Sequence, residues 1–193
     1  MHPDEAARLA RAAAAGDAAA WNGLVEGFSG LVWSVARAHR LSSADAADVF
    51  QTAWLRLAEH LGRIERPEHV GAWLATTARR EALRVARGSA RVIPTQDTAV
   101  FDRGHAEVAS PEQAVLDAEQ AAIDRERAKQ LWRAFDQISA RCQELLRVLI
   151  ATPPPTYAEV AAGLDMPVGS VGPTRARCLQ KLRRLAGEVS ETV

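Results

Sequence analysis

The sequence predicts an all-α fold in two small helical modules, and three observations carry that prediction. Apolar residues recur at steps of three and four in segment after segment, as amphipathic helices require. No stretch alternates apolar and polar residues as a half-buried strand would. Between Gly88 and Pro111 the helical period lapses into Gly, Ser, Pro, Thr and Asp with isolated apolar residues, the composition of a linker. A first module over 1–91, a linker over 92–111 and a second module over 112–193 follow from this. A chain of 193 residues gives each module room for a modest core.

The opening MHPDEAARLARAAAAGD reads as a helix interrupted by polar residues, unlike a secretory signal. Trp21, Leu24, Val25, Phe28, Leu31, Val32 and Val35 then trace a long apolar stripe, with an interruption expected near Ser29 and Gly30. Ser42, Ser43, Ala44 and Asp45 are a start signal for the next helix, whose apolar face is Val49, Phe50, Ala53, Trp54, Leu57 and Leu61. Gly62 to Val70 reads as a connecting loop. A third helix from Val70 to Arg87 turns Trp73, Leu74, Thr77 and Ala78 inward and is rich in arginine at its far end. After the linker, Ser110 with Pro111 at the first helical position starts another helix. Its apolar residues continue through Leu131, Phe135, Ile138, Leu145, Leu146 and Leu149, until ATPPPT at Ala151 to Thr156 stops them.

The 24 basic and 24 acidic residues cancel, so bulk charge does not point to nucleic acid. Local segregation does. Arg79, Arg80, Arg84, Arg87 and Arg91 cluster against the single Glu81, and a second basic run follows Ser170. Between them Asp102, Glu107, Glu112, Asp117, Glu119, Asp124 and Glu126 make an acidic middle. No apolar run approaches the roughly 20 residues of a bilayer span, so a cytoplasmic protein with no membrane contact of its own is expected. Cys142 and Cys178 lie on apolar faces without ligand-spaced partners and read as buried thiols. His2, His39, His60, His69 and His105 are scattered, and neither a metal nor a cofactor is expected. No set of nucleophile, base and oxyanion donor can be assembled, which speaks against an enzyme.

Tyr157 to Arg184 is the most informative stretch. Val160, Ala161 and Leu164 stripe a short helix, Gly163 to Pro167 break it, and a second, basic helix follows. Ser170 is expected to cap that helix by accepting from the Gly172 N–H, with Pro173 tolerated in the first turn. Val171, Cys178, Leu182 and Leu185 share one face, and Arg177, Lys181 and Arg184 lie off it. From Ser170 to Ala186 the charges are Arg175, Arg177, Lys181, Arg183 and Arg184 with no acid, which suits a helix set against phosphates. These residues read as a helix-turn-helix. By themselves they also fit a stand-alone regulator binding operator DNA as a dimer, or a solvated helix of a bundle.

Four stretches, in their order and spacing, resemble a bacterial RNA polymerase sigma factor of the extracytoplasmic function group, the smallest members of the sigma-70 family. Asp45 to Leu55, DAADVFQTAWL, is similar to the family's DAEDvvQetfL helix, and Ala72 to Arg79, AWLATTAR, to its aWLytiAr segment. Tyr157 to Ala161, YAEVA, is similar to yaEIA, and Val168 to Val171, VGSV, to vGTV. The resemblance covers nearly the whole chain. It implies a region-two domain joined by a linker to a region-four domain, and a non-catalytic subunit that directs promoter recognition and transcription initiation. It also implies its partners: core RNA polymerase, through the beta-prime clamp helices and the beta flap, promoter DNA, and an anti-sigma factor.

The resemblance places these roles on residues. Asp45, Asp48, Gln51 and Leu55 would meet the clamp helices, although Asp45 and Asp48 also simply favour a helix amino terminus. Trp73, Arg79, Arg80, Arg84 and Arg87 would hold the melted -10 element, supplying the aromatic surface and cations that single-stranded bases need. Trp73 also reads as core from its place in the stripe. The loop Gly62 to Val70 corresponds to the one that reads a flipped base. Ser170, Gly172, Pro173, Thr174, Arg175, Ala176, Arg177, Gln180 and Lys181 would face the -35 element. Asp97, Asp102, Glu107 and Glu112 of the linker would mimic nucleic acid in a basic polymerase channel. No further domain is expected after Leu185.

The chain also departs from the family pattern. Ala75, Arg80 and Arg84 stand where an aromatic, Asn and Asp are common, and Gly172, Pro173 and Thr174 interrupt a usual run of Lys or Arg, Ser and Arg. Only Arg177 and Gln180 then donate well to base edges. This implies sparse direct readout at -35, with Arg177 on a guanine and shape or phosphate contacts supplying the rest. Arg175, at a normally apolar position, would snorkel to a phosphate.

Overall fold

The computed structural model describes residues 1–39, 41–88 and 125–190, and their regular structure is helical throughout. The chain is all-α. Helix α1 (Pro3–Ala14) starts with Pro3 in its first turn and buries Ala6, Ala7, Leu9 and Ala10. Gly16, at φ +95°, turns the chain after it. Asp17 then caps α2 (Ala18–Ala38), accepting from the N–H groups of Ala19 and Ala20 at 2.8 and 3.1 Å. The predicted interruption at Ser29 and Gly30 does not occur. Ser29 Oγ bonds back to the Val25 carbonyl within the unbroken helix, and Gly30 instead gives room to the backbone of Thr152.

Ser42 caps α3 (Ser43–His60) by accepting from the Asp45 N–H at 3.1 Å, as the start signal predicted. Two 3-10 turns, Leu61–Arg63 and Pro67–His69, fold the connection to α4 (Val70–Gly88). Leu24, Leu31, Leu57 and Leu74 are fully buried among Val32, Val35, Val49 and Val70. Each such side chain contributes about 1.5–3 kcal/mol by leaving water. Rings join α2 to α3 edge to face: Trp21 with Trp54 at 5.9 Å and Trp33 with Phe50 at 5.9 Å between centroids.

The apolar run expected to span Leu131 to Leu149 is broken at 138–139. Residues 125–137 form α5, and α6 is Ala140–Leu149. Leu131 is exposed, α5 buries Ala134 and Phe135, and Ile138 is buried at the break. Helix α7 (Tyr157–Leu164) begins at a capping box: Thr156 Oγ1 accepts from the Glu159 N–H, and Glu159 Oε2 accepts from the Thr156 N–H at 2.7 Å. It ends at Asp165 in the left-handed region, φ 55°. Helix α8 (Val168–Ser190) starts two residues before the predicted cap. Ser170 lies within it and donates its hydroxyl to the Pro167 carbonyl at 2.7 Å, so it does not accept from Gly172. Pro173 accordingly sits inside the helix and beyond its first turn.

Packing groups the described residues into two compact units, 1–88 with 140–176, and 125–139 with 177–190. In the first, α6 packs on α2, and α7 packs on α4. Neither cysteine is a free thiol: Cys142 and Cys178 are disulfide-bonded, which corrects the expectation of two buried thiols. The expected linker 92–111, its acidic residues Asp97, Asp102 and Glu107, and Glu112 with the start signal at Ser110 and Pro111 lie outside the described residues. No described helix is long and apolar enough to cross a membrane.

Candidate nucleic-acid interface

Helix α4 presents two different faces. Gly71, Ala75 and Arg79, four residues apart, form one ridge along α7, where they meet Glu159, Gly163 and Asp165. Arg79 Nη2 stands 2.7 Å from Asp165 Oδ2. Trp73, Thr76, Thr77 and Arg80 lie on the other face and line an open cavity of about 520 Å³. Trp73 and Thr77, predicted to turn into the core, are half-buried at this opening because Leu74, Ala75 and Ala78 already fill the core side of the turn.

The opposite wall comes from the end of α3 and the two 3-10 turns. His60, Arg63, Arg66 and His69 reach the same cavity. The rings of His60 and Trp73 are 6.1 Å apart and tilted by 37°. Arg66 is held by its neighbours, with Nε donating to Glu68 Oε1 at 3.3 Å and Nη2 lying 2.6 Å from His69 Nε2. A backbone hydrogen bond, and then the bond from Arg66, keep the Glu68 carboxyl below the usual range. Three guanidinium groups, two imidazoles, two hydroxyls, an indole and one carboxylate, that of Glu65, therefore surround one opening. That mixture offers a stacking surface, donors for a base edge and cations for phosphate. The predicted loop is thus a wall of the site, and its contributing residues were readable in GRIERPEH as the basic members of a Gly- and Pro-punctuated segment.

Of the five residues expected at -10, Trp73 and Arg80 come together at the cavity. Arg79 turns to Asp165, Arg84 bonds Glu81 at 2.7 Å, and Arg87 is exposed further along α4. On α3, Asp48, Gln51 and Leu55 form an exposed stripe, with Leu55 61% exposed. Asp45 at its head is half-buried, accepting from the Ser42 hydroxyl at 2.8 Å. On α8, Pro173, Arg175, Ala176, Arg177, Gln180 and Lys181 are exposed, while Gly172, Thr174 and Ser170 are partly covered. Arg175 points outward, Nη1 donating to the Tyr157 hydroxyl at 3.4 Å. Among the described residues, no three of His, Cys, Asp and Glu gather as metal ligands.

The cavity and the α3 stripe share one matched segment. Residues 24–92 match the family model for Sigma-70 region 2. This region 2-like segment runs from within α2 through α3, both 3-10 turns and α4, and every cavity-lining residue falls inside it. It accounts for about a third of the chain. No curated protein matches. Among solved structures, the chain is similar to that of CnrH in complex with the cytosolic domain of CnrY. The match has 21% identity and a TM-score of 0.57, over 95% of this chain and 98% of that chain. At this identity the likeness is one of fold.

Proposed function

We propose that the protein is an RNA polymerase sigma factor of the extracytoplasmic function group. The observation that carries this reading is the coincidence of the region 2 match with a basic, aromatic-walled cavity on one side and an acidic, apolar-ended stripe on α3. A sigma factor needs both, one for melted promoter DNA and one for core polymerase. Trp73 and Arg80 would hold unpaired bases and backbone in the cavity, with Arg63 and Arg66 on the opposite wall. Arg79, Arg84 and Arg87 would supply phosphate contacts along α4 once available. Asp45, Asp48, Gln51 and Leu55 would dock on the beta-prime clamp helices.

The second module, 112–193, would read the -35 element through α8 and lean on the beta flap. Arg177 and Gln180 would be its base-reading side chains, and Arg175 would reach a phosphate. Promoter specificity then rests on few direct contacts. Because CnrH is seen in complex with the cytosolic domain of CnrY, a protein partner of the anti-sigma kind is proposed for this chain too. The protein would work in the cytoplasm, without catalysis of its own.

Binding to purified bacterial core polymerase tests the reading directly. The protein should bind core, and Leu55→Asp with Asp48→Arg should weaken that binding at least about tenfold, since reversing charge and polarity at a docked stripe loses several kcal/mol. Undiminished binding by the double variant would remove the stripe from the account.

A further inference from the structure

We infer that α1 is the prop of the cavity's turn-built wall: one margin of the helix, centred on Ala7, sets where Arg63, Arg66 and His69 stand and so positions them for single-stranded DNA. The consequence for DNA rests on the sigma reading. The prop itself does not.

The wall has little to hold it from within. Leu61–Arg63 and Pro67–His69 are three residues each, and neither carries a side-chain cap. The Ile64 N–H donates to the Leu61 carbonyl at 3.4 Å, and the His69 N–H to the Arg66 carbonyl at 2.9 Å. Such 3-10 turns have poorer hydrogen-bond geometry than an α-helix and take their place from what they pack on. Arg66, Glu68 and His69 bond one another, which ties the wall's side chains together without anchoring them to the core. Helices α3 and α4 meet the turns where the chain enters and leaves them. The support distant in sequence is α1, which packs on both turns and adds no side chain to the cavity.

Helix α1 is itself seated on α2 by sequence. A Cβ at Gly23 would stand 3.2 Å from Leu9 Cδ2, and a Cβ at Gly27 would run into the Met1 methyl group. Met1 and Leu9 meet Gly27 and Gly23 in reverse order, so α1 runs antiparallel to α2. Its buried residues are Leu9 and three alanines, Ala6, Ala7 and Ala10. At about 100° per residue, Ala7 lies about 160° around the helix from Leu9, with Ala6 and Ala10 between them. The Leu9 margin is taken by α2, which leaves the Ala7 margin for the turns.

Methyl side chains on that margin let the turns come close. Ala7 is 5% exposed, so volume added there has no route to solvent. A close-packed contact answers added volume by displacement, and the turns, held by few bonds of their own, are the side that yields. Displacing them moves Arg63, Arg66 and His69 relative to Trp73 and Arg80 on α4, and a binding site tolerates only small errors of this kind.

Three variants of the full-length protein test the prop. Ala7→Val and Ala7→Leu enlarge the margin against the turns in two steps, and Leu9→Ala empties the margin against α2. In the free protein, the ring resonances of His69 should shift in both Ala7 variants, further with Leu than with Val, and stay in place in Leu9→Ala. Those of His39 on α2 should stay in place in all three. Bound to core polymerase, Ala7→Leu should weaken binding of a single-stranded -10 oligonucleotide by about tenfold or more and relax its base preference, with affinity for core unchanged. Leu9→Ala should keep oligonucleotide binding within about twofold of the unmodified protein even where its urea midpoint falls as far. Ala7→Val, the milder step, carries the same comparison if the larger residue prevents folding. Unmoved His69 resonances in the Ala7 variants, or oligonucleotide binding that falls in step with stability in all three, would overturn the prop. Shifted His69 resonances in a protein that binds neither core nor oligonucleotide would leave the prop standing and remove the sigma reading.

Discussion

Trp73 shows how a single side chain can be misread from a stripe. Its spacing with Leu74 and Ala78 reads as core, yet the core side of α4 is filled by smaller residues and the indole is left at the rim of the cavity, beside His60. Its loss should therefore cost recognition more than stability. In complex with core polymerase, Trp73→Ala should weaken binding of a single-stranded -10 oligonucleotide by about 1–3 kcal/mol, the worth of one base stack, as read by fluorescence anisotropy. His39 makes a second prediction at this scale. Its Nε2 is buried and lacks a hydrogen-bond partner among the described residues. Burial lowers its pKa from 6.5, with Arg79 and Arg141 acting in the same sense and Glu144 opposing. Well above pH 6.5 the ring is neutral in both folded and unfolded chains, so it contributes no slope. As pH falls below 6.5 the unfolded chain binds the proton first, and stability declines until the folded pKa is passed. The urea midpoint should drop between about pH 7.5 and about pH 5.5, and His39→Gln should flatten that drop.

Among the elements, α3 and α4 were legible from long apolar stripes and a serine cap, and α2 was legible except at Ser29 and Gly30, where the expected interruption is absent. The start of α7 carried an equally clear signal, Thr156 followed three residues later by Glu159. It forms both capping bonds ahead of the apolar stripe of Val160, Ala161 and Leu164. Thr156→Ala should destabilise the protein by about 1 kcal/mol in thermal denaturation, the usual worth of a lost cap. Helix α8 was misread at its start. Ser170 is a good cap by type, yet Val168 and Gly169 already lie in the helix and the serine hydroxyl serves Pro167. That difference moves Pro173 inward and leaves Arg177 and Gln180 exposed as read from the pattern. Arg177→Ala should lower affinity for a promoter with an intact -35 guanine by about 1–3 kcal/mol and relax preference at that position, measured across a -35 library.

For the whole molecule, the all-α class followed from periodicity, whereas the close packing of α6 on α2 and of α7 on α4 could not. Gly30 looked like a helix break and Gly163 like the start of a turn, because a sequence marks glycine without marking what comes close to it. Only the neighbours, Thr152 for one and Val35 for the other, give those glycines their meaning. Likewise, His60 and His69 are scattered in the sequence but meet at one cavity, brought together by two 3-10 turns that no period announces. The central claim is that this cavity and the α3 stripe serve promoter opening with core polymerase. Run-off transcription with purified bacterial core and a promoter library, followed by sequencing of RNA 5′ ends, tests it most directly. New start sites sharing two spaced upstream elements are predicted, and they should be lost with Trp73→Ala combined with Arg80→Ala. No new start sites and no retention of core, with firm binding of the protein alone to duplex DNA, would contradict the account and favour a stand-alone helix-turn-helix regulator.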